Sequence, residues 1–115
     1  MTRIAFLTAS CMLRDHPDAR KDYWEYDLEI AALPPACAAL GLTLEPVIWD
    51  APVFAPAAFD AVMIGPCWDY MEKPDAFMAM LERCDRESRL LNPLNTVRWN
   101  SRKTYLKDLA ARGAP

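Results

Sequence analysis

Four short apolar runs, each closed by a polar turn, constrain this chain most. They fall at residues 4–7 (Ile-Ala-Phe-Leu), 42–48, 61–64 (Ala-Val-Met-Ile) and 89–91. The turns that end them are Thr8-Ala9-Ser10, Trp49-Asp50, Gly65-Pro66-Cys67-Trp68-Asp69-Tyr70 and Asn92-Pro93. The runs are continuous rather than alternating, which suits strands buried on both faces of a parallel sheet. Helical patterns lie between them. Leu33, Cys37 and Leu40 are spaced i, i+4, i+7 ahead of Gly41, a stop signal. Pro34 and Pro35 are tolerable there only if the helix begins just before them. A second helix starts at Pro74, with Phe77, Leu81 and Cys84 as its apolar face and Glu82, Arg83 and Asp85 outward. A third is predicted from Asn100 or Ser101, as N-cap, to Arg112, with Leu106, Leu109 and Ala110 inward and Gly113 just past its end. The Pro-rich link over residues 51–60 has room for one loose helical turn.

Strand and helix in alternation define an α/β fold: a Rossmann-like open parallel sheet of about four strands flanked by helices. At 115 residues the chain is expected to form one domain, 1–115, with no internal repeat or interdomain linker. A hydrophobic fraction of 53% is enough for a real core.

Several chemistries are excluded. The three glycines, Gly41, Gly65 and Gly113, cannot build GxGxxG or GxxxxGK[ST], so the chain lacks both common phosphate loops. One histidine, His16, cannot support a His-rich metal site, and a Ser-His-Asp triad is a poor fit. Cys11, Cys37, Cys67 and Cys84 form no CxxC pair. The first apolar run is too short for a signal peptide, so a cytoplasmic protein with reduced, mostly core-filling thiols is expected. No apolar stretch approaches the ~20 residues of a membrane span. A net charge of −3 argues against general nucleic-acid binding. That charge is uneven: residues 98–112 carry net +4 and the preceding 97 carry net −7. Such a basic segment fits an anionic neighbour, with Arg102 and Lys103 near a phosphate, or simply neutralises the acidic body.

Open parallel sheets bind ligands beyond the carboxyl ends of their strands. The turns therefore predict one crevice bordered by Thr8, Ser10, Trp49, Asp50, Trp68, Asp69, Tyr70 and Asn92. Trp and Tyr beside carboxylates could stack on and hydrogen-bond a small amino-acid-like ligand. The structural reading, which takes precedence for any one of these residues, is that Trp49 and Trp68 cover the sheet end and Asp50 and Asp69 cap the turns. Residues 11–29 form a long charged segment whose aromatics Tyr23, Trp24 and Tyr26 need somewhere to pack.

The run Asn92-Pro93, Val97-Arg98-Trp99-Asn100, Lys103, Tyr105-Leu106, Leu109 and Gly113-Ala114-Pro115, with Trp49-Asp50 and Ile64 before Trp68-Asp69-Tyr70, resembles a known family. It is similar to the N-terminal (pre-ATP-grasp) domain of glutathione-synthetase-like ATP-grasp ligases, in the subgroup that includes the cyclo-ligase of D-cycloserine biosynthesis. The resemblance implies ATP-dependent carboxylate–amine ligation through an acyl phosphate. This domain would supply substrate-side residues Ser10, Asp50, Trp68, Asp69 and Tyr70, with Lys103 toward the nucleotide. It implies no catalytic or metal-binding residue in this chain. ATP and magnesium belong to central and ATP-grasp domains beyond it, so 115 residues alone are not expected to catalyse ligation. Expected partners are those domains, or a second copy meeting the apolar surface they would cover. The chain departs from the family pattern at Gly65-Pro66-Cys67, where Arg-Ser-Thr is usual, and at Arg102, where Asp is frequent. Gly65-Pro66-Cys67 and the early stop favour the alternative of a stand-alone, non-catalytic binding or interaction domain, whereas the retained Trp68-Asp69-Tyr70 and Lys103 favour the ligase. A flavodoxin- or receiver-like reading lacks the acidic pair after the first strand.

Overall fold

The computed structural model describes residues 2–115. Its strands are β1 (Thr2–Thr8), β2 (Leu42–Ile48), β3 (Ala61–Ile64) and β4 (Leu90–Leu91), and its helices are α1 (Trp24–Ala39), α2 (Pro74–Glu87), α3 (Leu94–Asn100) and α4 (Tyr105–Ala111). The strands form one parallel sheet in the order β2-β1-β3-β4. The α/β class and the flanked four-stranded sheet are thus as the sequence predicts.

β1 lies between two strands and is buried on both faces, which is why its apolar run is unbroken. Its side chains alternate between two cores. Ile4 and Phe6 join Leu44 and Ala61 under α1, while Ala5 and Leu7 join Val62, Phe77, Leu81 and Cys84 under α2. The register pairs Leu7 with Val47 on one side and Ile64 on the other, so three carboxyl ends stop level. α2 starts at Pro74 and buries Phe77, Leu81 and Cys84, the predicted stripe. The predicted loose turn is a 3-10 turn at Pro56–Ala58. Gly41, at φ +75°, supplies the left-handed residue just past α1.

Two helices differ from the sequence expectation. α1 begins at Trp24, ten residues before Pro34, and both prolines lie inside it. An interior proline costs about 3 kcal/mol through its missing N–H and ring clash. Against this, Tyr26, Ile30, Leu33 and Cys37, spaced i, i+4, i+7, i+11, all pack on the sheet. Tertiary packing of that stripe outweighs the local penalty. The clustered aromatics are the first turns of this helix, and the long connection shrinks to residues 13–23 after a 3-10 turn at Ser10–Met12.

The single C-terminal helix is instead two. Ser101 is not an N-cap: its N–H bonds to the Val97 carbonyl (2.9 Å) and its hydroxyl donates to the Arg98 carbonyl (3.1 Å), closing α3. Pro93, at φ −59°, opens α3. α4 buries none of its residues, and Trp99 and Tyr105 meet across the break with ring centroids 5.0 Å apart. Gly113, at φ +91°, follows α4 as predicted.

Gly65 ends β3 against β1. A Cβ there would collide with the Leu7 carbonyl oxygen and sit 2.6 Å from the Phe6 ring. Gly65→Ala is expected to lower unfolding stability by about 1–3 kcal/mol in urea titration, because backbone must shift to admit the methyl group.

Candidate functional site

The level ends of β1 and β3 place their turns side by side at the reversal of strand order, where α/β sheets present ligand crevices. Three predicted residues are committed to structure here. The Trp49 indole is 2% exposed and donates Nε1–H to Asp69 Oδ1 at 2.7 Å. Asp69, 8% exposed, also has Oδ2 3.6 Å from the Lys73 ammonium. Lys73 Nζ lies 2.9 Å from Asp50 Oδ2. The hydrogen bond and charge of Asp50, then the more distant Asp69, raise the Lys73 pKa. The indole packs edge-on against Phe77, centroids 5.2 Å apart. Turn and helix are thereby tied to the end of β2.

Thr8 and Trp49 therefore do not face the crevice. Thr8 is 1% exposed, and its hydroxyl oxygen has no hydrogen-bond partner. Its carbonyl accepts the Trp49 N–H at 3.0 Å. Trp68, by contrast, projects outward at 42% exposure and divides the rim. On one side is a crevice of about 480 Å³ lined by Ser10, Cys11, Arg20, Asp69, Glu72 and Lys73, with Asp18 at its edge. On the other is a smaller pocket of about 230 Å³ whose polar lining includes Tyr70, Asn92, Asn100 and Ser101. Ser10, Trp68 and Asp69 thus share one crevice, and Tyr70 shares the second with Trp68. Asp50 is held to Lys73 outside both linings. Lys103 lies in the link between α3 and α4, lines neither space, and stands 5.6 Å from the centroid of the Tyr105 ring.

Sequence reasoning missed Arg20, Glu72 and Lys73. Arg20 holds Asp22 through two bonds of 2.8 and 3.0 Å, and its guanidinium carbon stands 5.6 Å from the centroid of the Trp68 ring. Lys73, just before the Pro74 start signal, was legible only as a residue near the Trp-Asp-Tyr turn. The crevice thus mixes fixed cations and carboxylates beside an aromatic ring, a lining able to hold a small zwitterion.

Nucleophilic chemistry is poorly supported. Burial, reinforced by the Asp69 charge, pushes the thiols of both Cys67 and Cys11 up, so both stay protonated. His16 Nδ1 accepts the Asp18 N–H at 3.1 Å, closing a turn. Among the described residues no group of three or more His, Cys, Asp or Glu could hold a metal ion. No helix among them is long and apolar enough to cross a membrane.

The class defined by this geometry is a parallel α/β domain with a ligand crevice at the sheet's switch point. Comparison with known proteins narrows it. Residues 4–92 match the family described as D-cycloserine synthetase DcsG, N-terminal domain, and the chain belongs to that family. It is 36% identical over 89 residues to the cycloserine biosynthesis protein DcsG of Streptomyces lavendulae, covering 77% of this chain and 30% of that protein. The crystal structure of D-cycloserine synthetase DcsG superposes with a TM-score of 0.82 at 31% identity, over 98% of this chain and 34% of that one. The chain therefore spans about a third of the length of the relatives it matches.

Removing the buried carboxylate by Asp69→Ala is expected to cost about 2–3 kcal/mol in chemical denaturation, since it strands the Trp49 N–H. Asp50→Ala, which breaks only a partly exposed ion pair, is expected to cost under about 1 kcal/mol.

Proposed function

We propose that this chain is the substrate-side domain of an ATP-dependent ligase that joins a carboxylate to an amine through an acyl phosphate. The observation that carries this reading is the Trp68 crevice at the β1–β3 switch point, in a domain similar to the N-terminal third of a cycloserine biosynthesis protein. Its ligand is small and amino-acid-like. Arg20 or Lys73 meets the carboxylate, the acidic rim of Asp18 and Glu72 meets the amine, Ser10 hydrogen-bonds, and the Trp68 ring packs on the carbon skeleton. ATP and magnesium are held by central and ATP-grasp domains of the complete enzyme, toward which the basic α3–α4 segment and Lys103 are directed. The chain alone has no ligase activity.

Two measurements test this. ATP-Mg at millimolar concentration is expected to leave the melting temperature of the 115-residue chain unchanged, since a ligand stabilises only the native state it binds. A shift of several degrees would place nucleotide binding in this domain and overturn the division of labour. Joining the chain to the remaining two thirds of the Streptomyces lavendulae protein is expected to give ATP consumption that depends on an amino-acid-like substrate. Trp68→Ala in that fusion should raise KM roughly tenfold, the loss of one aromatic contact of about 1.4 kcal/mol. A fusion that folds but consumes no ATP with any amino-acid-like substrate favours the stand-alone binding domain.

A further inference from the structure

The two long helices meet solvent differently. α2 turns Arg83, Asp85, Arg86 and Glu87 away from the sheet, as a solvent-facing helix does. α1 has no such face. Tyr26, Ile30, Leu33 and Cys37 pack on the sheet. Every exposed residue of α1 is Trp, Leu, Ala or Pro, while its three carboxylates, Glu25, Asp27 and Glu29, lie half-buried in its first two turns. The stripe opposite the sheet runs through Trp24, Leu28, Ala31, Ala32, Pro35 and Ala39 at helical spacing. Trp24 and Leu28 are 53% and 61% exposed. A helix apolar on both faces is ordinarily covered on both.

Three occupants compete for that face. Further domains of a longer relative follow α4, and α3 packs with α2 on the other side of the sheet, through Leu94, Val97 and the Arg98–Glu82 ion pair. A lipid surface is disfavoured, because α1 has three acidic residues and no basic one. A second copy of the chain fits by shape. The stripe is bulky at its start and small at its end, so it complements itself when two copies cross antiparallel. A two-fold axis between Ala31 and Ala32 lays Trp24 on the partner's Ala39, Leu28 on the partner's Pro35, and Ala31 on the partner's Ala32 where the helices come closest. Symmetry makes each pair twice, as an isologous contact requires. The same crossing sets residues 25–29 of each copy against the uncharged residues 34–38 of the other, whereas parallel pairing would bring like charges together.

We infer that the outward face of α1 is a self-association surface, on which two copies pack antiparallel across Ala31 and Ala32. With 16 residues the helix is about 24 Å long. Two such faces bury roughly 1,000 Å² in all, the low end for specific interfaces, so the dimer is weak and reversible, with a Kd on the order of 0.1 mM. The exposed Trp99 of α3 and Leu106 of α4 take no part in it. Dimerisation through α1 requires nothing of the ligase reading.

Sedimentation equilibrium of the chain between about 10 µM and 1 mM tests this, a range that brackets the expected Kd. A monomer–dimer equilibrium is expected. Leu28→Asp should weaken it at least about a hundredfold, because symmetry removes the apolar contact twice. Ala32→Phe should weaken it too, since a ring at the crossing holds the helices apart. Indiscriminate apolar adhesion would instead be strengthened by that ring. Leu106→Asp should leave association unchanged. All three sites are exposed, so melting temperatures near that of the native chain show the variants to be folded. A clean monomer at the highest concentration would overturn the inference and leave this face to a different partner. A dimer indifferent to Leu28→Asp, one tightened by Ala32→Phe, or one lost with Leu106→Asp would overturn it as well.

Discussion

A buried carboxylate holds this domain's working edge together. Asp69 sits at the end of β3, yet its partners come from elsewhere: the indole of Trp49 after β2, and the ammonium of Lys73 at the threshold of α2. An ionised group this deeply placed is tolerable only when paired and hydrogen-bonded. Its partners therefore fix where three segments meet. Trp49 and Tyr70 both pack on Phe77, and Trp68 is the aromatic of the turn after β3 that projects outward. The spaces around the rim exist because of that division between an inward and an outward tryptophan.

Much of the fold was legible because β1 and α2 follow simple rules. An unbroken apolar run marks a central parallel strand, and Pro74 with a three-residue apolar face marks a helix and its start. α1 was misread because adjacent prolines are strong local signals, whereas the stripe that overrides them begins among aromatics at Tyr26, outside any apolar run. The split between α3 and α4 was invisible for a related reason. Ser101 and Asn100 have the chemistry of an N-cap, but Ser101 spends its N–H and hydroxyl on carbonyls of the preceding turn, a local alternative that the residue type permits equally well.

The rim was legible in outline and mis-sorted in detail. Residue type places Ser10, Asp50, Trp68, Asp69 and Tyr70 beyond the strands, and the fold brings them to that edge. Which tryptophan is buried, and which aspartate is spent on pairing, depends on distances that no spacing rule supplies. Arg20 joins the rim from the charged segment that follows Ser10, where many charges lie together and no spacing rule singles out the one that folds back.

The close approach at Gly65 also has an evolutionary consequence. The obstacle to a side chain there is partly the Phe6 ring, which a mutation can trim, and partly the Leu7 carbonyl, which it cannot. Replacing Phe6 alone therefore does not free the position. A homologue with a longer residue at this point must space the ends of β1 and β3 differently, and must inherit a differently shaped rim along with it. A side chain at this position and the separation of β1 from β3 are therefore one coupled variable, so the shape of the rim is set by backbone spacing as much as by the residues that line it.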